Sequence, residues 1–205
     1  LLFLKQSGLI DEEKYSHTIK FLKLHQHENG GISTYTQENL QAMGYRGEGW
    51  SMPHVCVTAL VAEVFEGDEK EKALHFLQSQ RQSDGSFPAY WWASDVYATY
   101  QAMKILGADS QMREYFKRIG YENIFDLSIK IQALASLGLD TETLVNELLK
   151  KQQEDGGWSS SPILKIPRPE IKPGEVTTNV EVANDKNRLF STVNALLALQ
   201  MTKKK

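Results

Sequence analysis

The chain has 205 residues, 41% of them apolar and 24% charged, the composition of an ordinary globular domain rather than of a disordered or collagen-like chain. A formal charge of −3 gives no general attraction to nucleic acid or an anionic membrane, and the one cysteine, Cys56, excludes an internal disulfide framework and a cysteine-rich zinc site. No apolar run approaches the roughly 20 residues of a membrane span, so a reducing, cytoplasmic setting is the expectation.

In chain order, Leu1 to Leu4 is an apolar stub, too short for a signal peptide, that reads as the tail of an earlier helix. Helical periodicity then alternates between two kinds of segment. Those over 13–24, 69–80, 111–120 and 141–153 carry Lys, Glu and Gln on one face and read as outer, amphipathic helices. Those over 52–65, 95–106, 125–137 and 189–201 are apolar on most faces and nearly free of charge, as helices buried on both sides must be. Gly67, Gly107 and Gly138 follow three of them as expected C-caps. One domain over 1–205, built from about four helical hairpins, follows from this alternation.

The hairpins repeat in sequence as well as in pattern. Residues 21–32, 76–87 and 147–158 align without gaps and end in Asn29-Gly30-Gly31-Ile32, Asp84-Gly85-Ser86-Phe87 and Asp155-Gly156-Gly157-Trp158. Each reads as a helix end closed by glycine at positive φ, Gln side chains bonding orphaned backbone groups, and a large apolar residue folding back onto the next unit. These turns are structural staples. The third unit is abbreviated, because Phe125 follows Gly120 almost at once. The fourth carries an insertion over 159–188 with Pro162, Pro167, Pro169 and Pro173, long enough to be a lid over a pocket. Lys203 to Lys205 reads as a solvated tail.

Turns of the type Gln-x-x-x-Gly-x-Trp between outer and inner helices resemble the repeats of the squalene–hopene cyclase and prenyltransferase group. Gln152-Gln153-Glu154-Asp155-Gly156-Gly157-Trp158 is the nearest match and Gln80 to Phe87 the next. The resemblance implies an all-α fold, an α/α toroid whose inner helices line a cavity, incomplete at four hairpins plus an N-terminal stub. It also implies an apolar isoprenoid-like substrate cyclised by protonation, with no metal or redox cofactor. In class II terpene cyclases an Asp-x-Asp-Asp motif opens an inner helix, and here Asp95 alone stands in that place. Asp126 opens the next inner helix and offers a second carboxylate. As in those enzymes, aromatic faces would stabilise a cation. Trp91, Trp92, Tyr97 and Tyr100 are the candidates, with Trp50 and His54 at the mouth of the first inner helix.

Other readings remain open from the residues alone. Asp95 and Asp126 sit where helix N-caps sit. The same toroid could hold a lipid or a protein without chemistry, or serve as a carbohydrate-active α/α barrel. A closed toroid needs about six hairpins, so a further domain or a second copy would complete the barrel, and an apolar substrate suits association with a membrane surface. The Asp, Cys and His zinc ligands of protein prenyltransferases are not matched, and Cys56 reads as a small buried hydrophobe.

Overall fold

The computed structural model describes residues 2–175 and 180–203. The outermost lysines of the tail, Lys204 and Lys205, and residues 176–179 of the insertion lie outside them. The stub forms a short helix, α1 (Leu2–Gln6). Outer helices α2 (Glu12–Lys23), α5 (Gly67–Ser79), α7 (Ser110–Arg118) and α9 (Glu142–Lys150) alternate with inner helices α4 (Val55–Ala62), α6 (Asp95–Leu106), α8 (Ile124–Ser136) and α10 (Leu189–Thr202). A short α3 (Gln37–Ala42) lies between α2 and α4. The inner helices stand side by side in the order α4, α6, α8, α10, an arc of a toroid with the outer helices on its convex side. Side-chain caps start four of the helices, with Asp11 accepting from the Lys14 amide at 2.8 Å, Thr36 from Asn39 at 3.2 Å, Asp109 from Met112 at 2.9 Å and Asn123 from Asp126 at 2.9 Å.

Three details differ from the sequence reading. Helix α4 begins at Val55 rather than at residue 52, because Met52 precedes Pro53 and is held extended at ψ 157°. Gly67, at φ +56°, opens α5 and does not cap α4, whereas Gly107 does cap α6 at φ +81°. The insertion is not a plain loop. Strands β1 (Pro162–Ile166) and β2 (Glu181–Asn184) pair antiparallel within it, Ile166 opposite Glu181 and Pro162 opposite Asn184, with a bulge between Pro162 and Leu164.

The repeated turns share one hydrogen-bond pattern. The amides of His27, Gln82 and Gln153 donate to the carbonyls of Gly31, Ser86 and Gly157 at 2.9, 2.9 and 2.8 Å. Asn29, Asp84 and Asp155 each accept from the amide two residues on, at 3.0, 2.9 and 3.1 Å. Gly30, Gly85 and Gly156 take φ of +86°, +89° and +82° at the tip of this turn. They are therefore turn glycines, several residues beyond the C-caps Leu24, Gln80 and Lys151, which are all right-handed. The large residue that follows is buried completely, as Ile32, Phe87 or Trp158. Its amide donates to a threonine of the next inner helix, Ile32 to Thr58 at 2.8 Å, Phe87 to Thr99 at 2.9 Å and Trp158 to Thr192 at 3.2 Å. This bond ties the outer layer to the inner one in three of the four units. In the abbreviated unit the insertion takes over, and Ser161 accepts from the Phe125 amide at 3.1 Å.

Candidate functional site

The stapling threonines orient three of the four inner helices, α4, α6 and α10. A residue two before, two after or five after the threonine lies about 160°, 200° or 140° around the helix from it. Those positions face the concave side. They are Cys56 and Leu60 on α4 with Glu63 at its C-cap, Tyr97, Gln101 and Lys104 on α6, and Phe190, Asn194 and Leu197 on α10. On α8 the concave face is marked by Phe125, which stacks on Trp92 and Tyr97, and by Gln132, two turns on, which bonds Asn194. The face is open to a ligand at Leu60 and Leu197, each 42% exposed, and at Phe190, 50% exposed, whereas Cys56, Gln101, Phe125 and Gln132 on it are buried.

The upper rung of this face is aromatic. Trp92 lies against Tyr97 with ring centroids 3.7 Å apart and parallel to Phe125 at 5.4 Å. Burial pushes the Tyr97 phenol up to about 12. It pushes the neighbouring Cys56 thiol up to about 11, so that group is inert and serves as packing. Tyr100 turns away from this rung, and its hydroxyl reaches the Met201 sulfur at 3.9 Å between the inner helices.

Trp50, His54 and Trp91 form a second aromatic group, at the mouth of α4 and under the insertion. His54 is 1% exposed. Indole N–H can only donate, so Trp91 Nε1 at 3.2 Å makes His54 Nδ1 an acceptor, and Nε2 carries the proton given to the Gly49 carbonyl at 2.9 Å. Tyr90 stacks on the imidazole at 4.2 Å, and burial lowers the His54 pKa to about 4. His54 is therefore a neutral, fully engaged packing residue, closed to a ligand.

The insertion is anchored to this second group. Trp50 Nε1 donates to the Pro167 carbonyl at 2.8 Å, the Tyr90 hydroxyl to Ile171 at 2.7 Å, and the Gly49 amide to Pro169 at 2.7 Å. Lys165 donates its amide to the Trp91 carbonyl at 2.8 Å, beside a bridge between Trp92 and Leu164. The segment thus forms a fitted roof over the N-terminal ends of α4 and α6.

The titration of His54 has a sign that can be checked. Its pKa falls from about 6.5 in the unfolded chain to about 4 in the fold, so the neutral form contributes about 3 kcal/mol above pH 6.5. That stability is lost as pH falls from about 6.5 to 4. His27, also lowered by burial, acts in the same sense. Urea unfolding at pH 7 and pH 4.5 is expected to show a larger acid loss for the unsubstituted chain than for His54→Gln. An equal loss in both would refute this role.

Neither carboxylate candidate is an N-cap. Asp95 Oδ1 accepts from the Ala89 amide at 2.8 Å and Oδ2 from Gln82 Nε2 at 3.3 Å. It shares a helix face with Thr99, four residues on, and that face looks toward the turn preceding its own helix. Asp126 is 6% exposed, lies at the junction of α6 and α8, and accepts from Ser94 Oγ at 2.6 Å and Asn123 Nδ2 at 3.0 Å. Burial raises its pKa above the usual carboxylate range, outweighing those two bonds. The concave position nearest Asp95 is occupied by Tyr97, a phenol too weak at about 12 to protonate an alkene. The threonine staples and the partners Phe125 and Phe190 were not anticipated from sequence. Threonine follows the apolar turn residue at intervals of 26, 12 and 34 positions, and this irregular spacing hides the signal.

Among the described residues no helix is long and apolar enough to cross a membrane. The family model described as the prenyltransferase alpha-alpha toroid domain matches residues 1–162 and 130–205. A solved protein from Actinoplanes is similar at 23% identity and a TM-score of 0.80, over 91% of this chain and 68% of its own. The type II terpene cyclase MstE from Scytonema, without ligand, is similar at 22% identity and a TM-score of 0.81, over 96% of this chain and 70% of its own. A variant of MstE in complex with geranylgeranyl dihydroxybenzoate, its substrate, is similar at 22% identity and a TM-score of 0.81, over 98% of this chain and 70% of its own. No curated protein matches the sequence.

Proposed function

We propose, from the premise that the chain belongs to the prenyltransferase alpha-alpha toroid family, that it holds an isoprenoid-like apolar ligand against the concave face of its inner helices, under the roof formed by the described part of the insertion, residues 159–175 and 180–188. The observation that carries this reading is the stacked pair Trp92 and Tyr97 on that face, half-buried and backed by the buried Phe125. Flat aromatic faces suit the methyl-branched, unsaturated chain of an isoprenoid and attract any positive charge that develops along it. The likeness to a cyclase solved with a geranylgeranyl substrate supports the choice of ligand. Binding of geranylgeranyl dihydroxybenzoate, followed by calorimetry, is expected to weaken about tenfold or more in Trp92→Ala and Tyr97→Ala, a loss of roughly 1.4 kcal/mol each. Unchanged affinity in both would overturn the reading.

A second reading, proton-initiated cyclisation, is favoured by Asp126. Burial raises the Asp126 pKa, and the residue stands next in sequence to the aromatic Phe125, where an acid for an alkene would be placed. Asp95 would then be a positioning residue that fixes the 82–89 turn beneath Trp91 and Trp92. Cyclised product from a polyprenyl substrate should vanish in Asp126→Asn. Absence of product from every such substrate in the unsubstituted chain would sink cyclisation and leave binding standing.

A further inference from the structure

The roof rests on the second aromatic group through its backbone. Over 166–173 burial alternates. Pro167, Pro169, Ile171 and Pro173 are buried or half-buried, while Ile166, Arg168, Glu170 and Lys172 are exposed. The carbonyls of Pro167, Pro169 and Ile171 accept in turn from Trp50 Nε1, the Gly49 amide and the Tyr90 hydroxyl, at 2.8, 2.7 and 2.7 Å. Proline shapes the segment. Pro169 and Pro173 each stand second in a turn closed by a backbone bond, the Ile171 amide to the Arg168 carbonyl at 3.0 Å and the Glu175 amide to the Lys172 carbonyl at 3.1 Å. The groove beneath is cut to match. A Cβ on Gly47 would stand 2.1 Å from the Pro169 carbonyl carbon, and one on Gly49 would stand 1.8 Å from the Ile171 carbonyl oxygen. Both positions need glycine for the backbone to lie this close. The walls are aromatic, with Trp50 against Tyr45 at 5.1 Å and Trp91 at 5.6 Å, and Tyr90 stacked on His54 at 4.2 Å.

These are the parts of a peptide-recognition site. Proline-rich segments dock in aromatic-lined grooves, where indole and phenol groups supply the donors that their carbonyls need. Proline also lowers the cost of ordering the bound chain. The groove here reads backbone carbonyls and proline rings, which other sequences also carry. The outward side chains add little, since Lys172 meets Glu48 at 3.1 Å in an exposed pair. We infer that the groove between residues 47–50 and 90–91 is a peptide-binding site held in cis by residues 166–173, and that a proline-rich segment of a partner protein takes their place. The bonds of β1 to β2 and to residues 91–93 are separate from those of the groove, so 167–173 can lift while the sheet holds. Tethering at both ends gives the cis segment an effective concentration on the order of millimolar, which the partner segment has to exceed. Neither the groove nor its occupant depends on the isoprenoid ligand.

The probe is a fluorescently labelled peptide that copies residues 162–175, titrated with the full chain and followed by anisotropy. Pro167→Gly/Pro169→Gly/Ile171→Gly loosens the cis segment, and this variant is expected to bind the peptide at least about tenfold tighter than the unsubstituted chain does. A peptide carrying the same three glycines should bind it at least about tenfold weaker. Adding Trp50→Phe, which removes the donor to the Pro167 carbonyl, should weaken binding severalfold, and adding Gly49→Ala should abolish it. Circular dichroism and the thermal midpoint establish that each variant is folded. If the triple variant is not, Ile171→Gly alone gives the same comparison with a severalfold gain expected. Absence of binding to the folded variant up to millimolar peptide, equal binding of the two peptides, or binding untouched by Gly49→Ala would overturn the inference. Dimerisation of the unsubstituted chain that Gly49→Ala abolishes would assign the groove to a second copy and overturn a partner protein as its occupant.

Discussion

Trp158→Ala is expected to destabilise the chain by about 3–5 kcal/mol, the range for removing a large buried aromatic side chain. Trp158 is completely buried and joins α8, α9 and α10, packing with Ile124, Leu127, Ile131, Leu148, Ala195 and Ala198. Its indole N–H donates to the Leu148 carbonyl at 2.7 Å, and its amide is held by Thr192. Alanine would leave a cavity at the point where the last outer and last inner helices meet, and only the backbone bond would survive. Trp158→Phe keeps most of the apolar volume and loses one hydrogen bond. The Leu148 carbonyl still accepts from the Lys151 amide at 3.1 Å, so the loss from that bond is about 1 kcal/mol. Urea unfolding of the two variants should separate them by 2 kcal/mol or more. A loss below about 1 kcal/mol for Trp158→Ala would mean that this turn does not staple the fold.

Gly30→Ala should be nearly as damaging, and Gly156→Ala much less, although both glycines stand at the same place in the repeat. Each has a positive φ, +86° and +82°, so each alanine meets a left-handed penalty of about 1–2 kcal/mol. The difference lies in what surrounds them. A Cβ on Gly30 would stand 2.1 Å from the Lys72 carbonyl oxygen, backbone of α5 that cannot move aside without shifting the helix. A Cβ on Gly156 meets nothing within 4 Å. Gly30→Ala is therefore expected to cost at least about 2 kcal/mol more than Gly156→Ala, the overpacking cost added to a shared backbone term. Parallel denaturant curves measure the difference directly. Equal losses would show that the turn is not seated on α5.

The hairpin order was legible because it rests on local periodicity and on a repeated turn. Helix α6 starts and ends at the residues the sequence indicates, and the other paired helices fall within a few residues. The turns were legible as staples, but the job of their glycines was misplaced by several residues, since a C-cap and a turn tip share the same Gly preference. The sheet pairing inside 159–188 was not legible. Its four prolines argue against a central strand, and the pair survives because β1 starts at Pro162 and ends before Pro167, beside Trp91 and Trp92, while β2 lies beyond Pro173. The site was half legible. Aromatic crowding at residues 90–100 was plain, yet which rings face the concavity depends on helix phase. That phase sets Tyr97 toward the concavity, but Trp91 and Trp92 precede α6, beside Lys165 and Leu164, and Trp50 and His54 precede α4 under the roof, so only the tertiary contacts sort them. Helix phase also set Asp95 toward its own turn and Tyr97 toward the concave side, a distinction that one residue-type pattern cannot carry.

The concave face as the ligand surface is tested most directly by covalent labelling. A geranylgeranyl probe bearing a diazirine on its chain would be photolysed with the full chain and the modified residues read by peptide mass spectrometry. Labelling on Trp92, Tyr97 or Phe190, competed away by excess geranylgeraniol, is the expected result. Labelling confined to the outer helices or to the exposed flank of α10 at Val193 and Leu196, or labelling that geranylgeraniol does not displace, would contradict it.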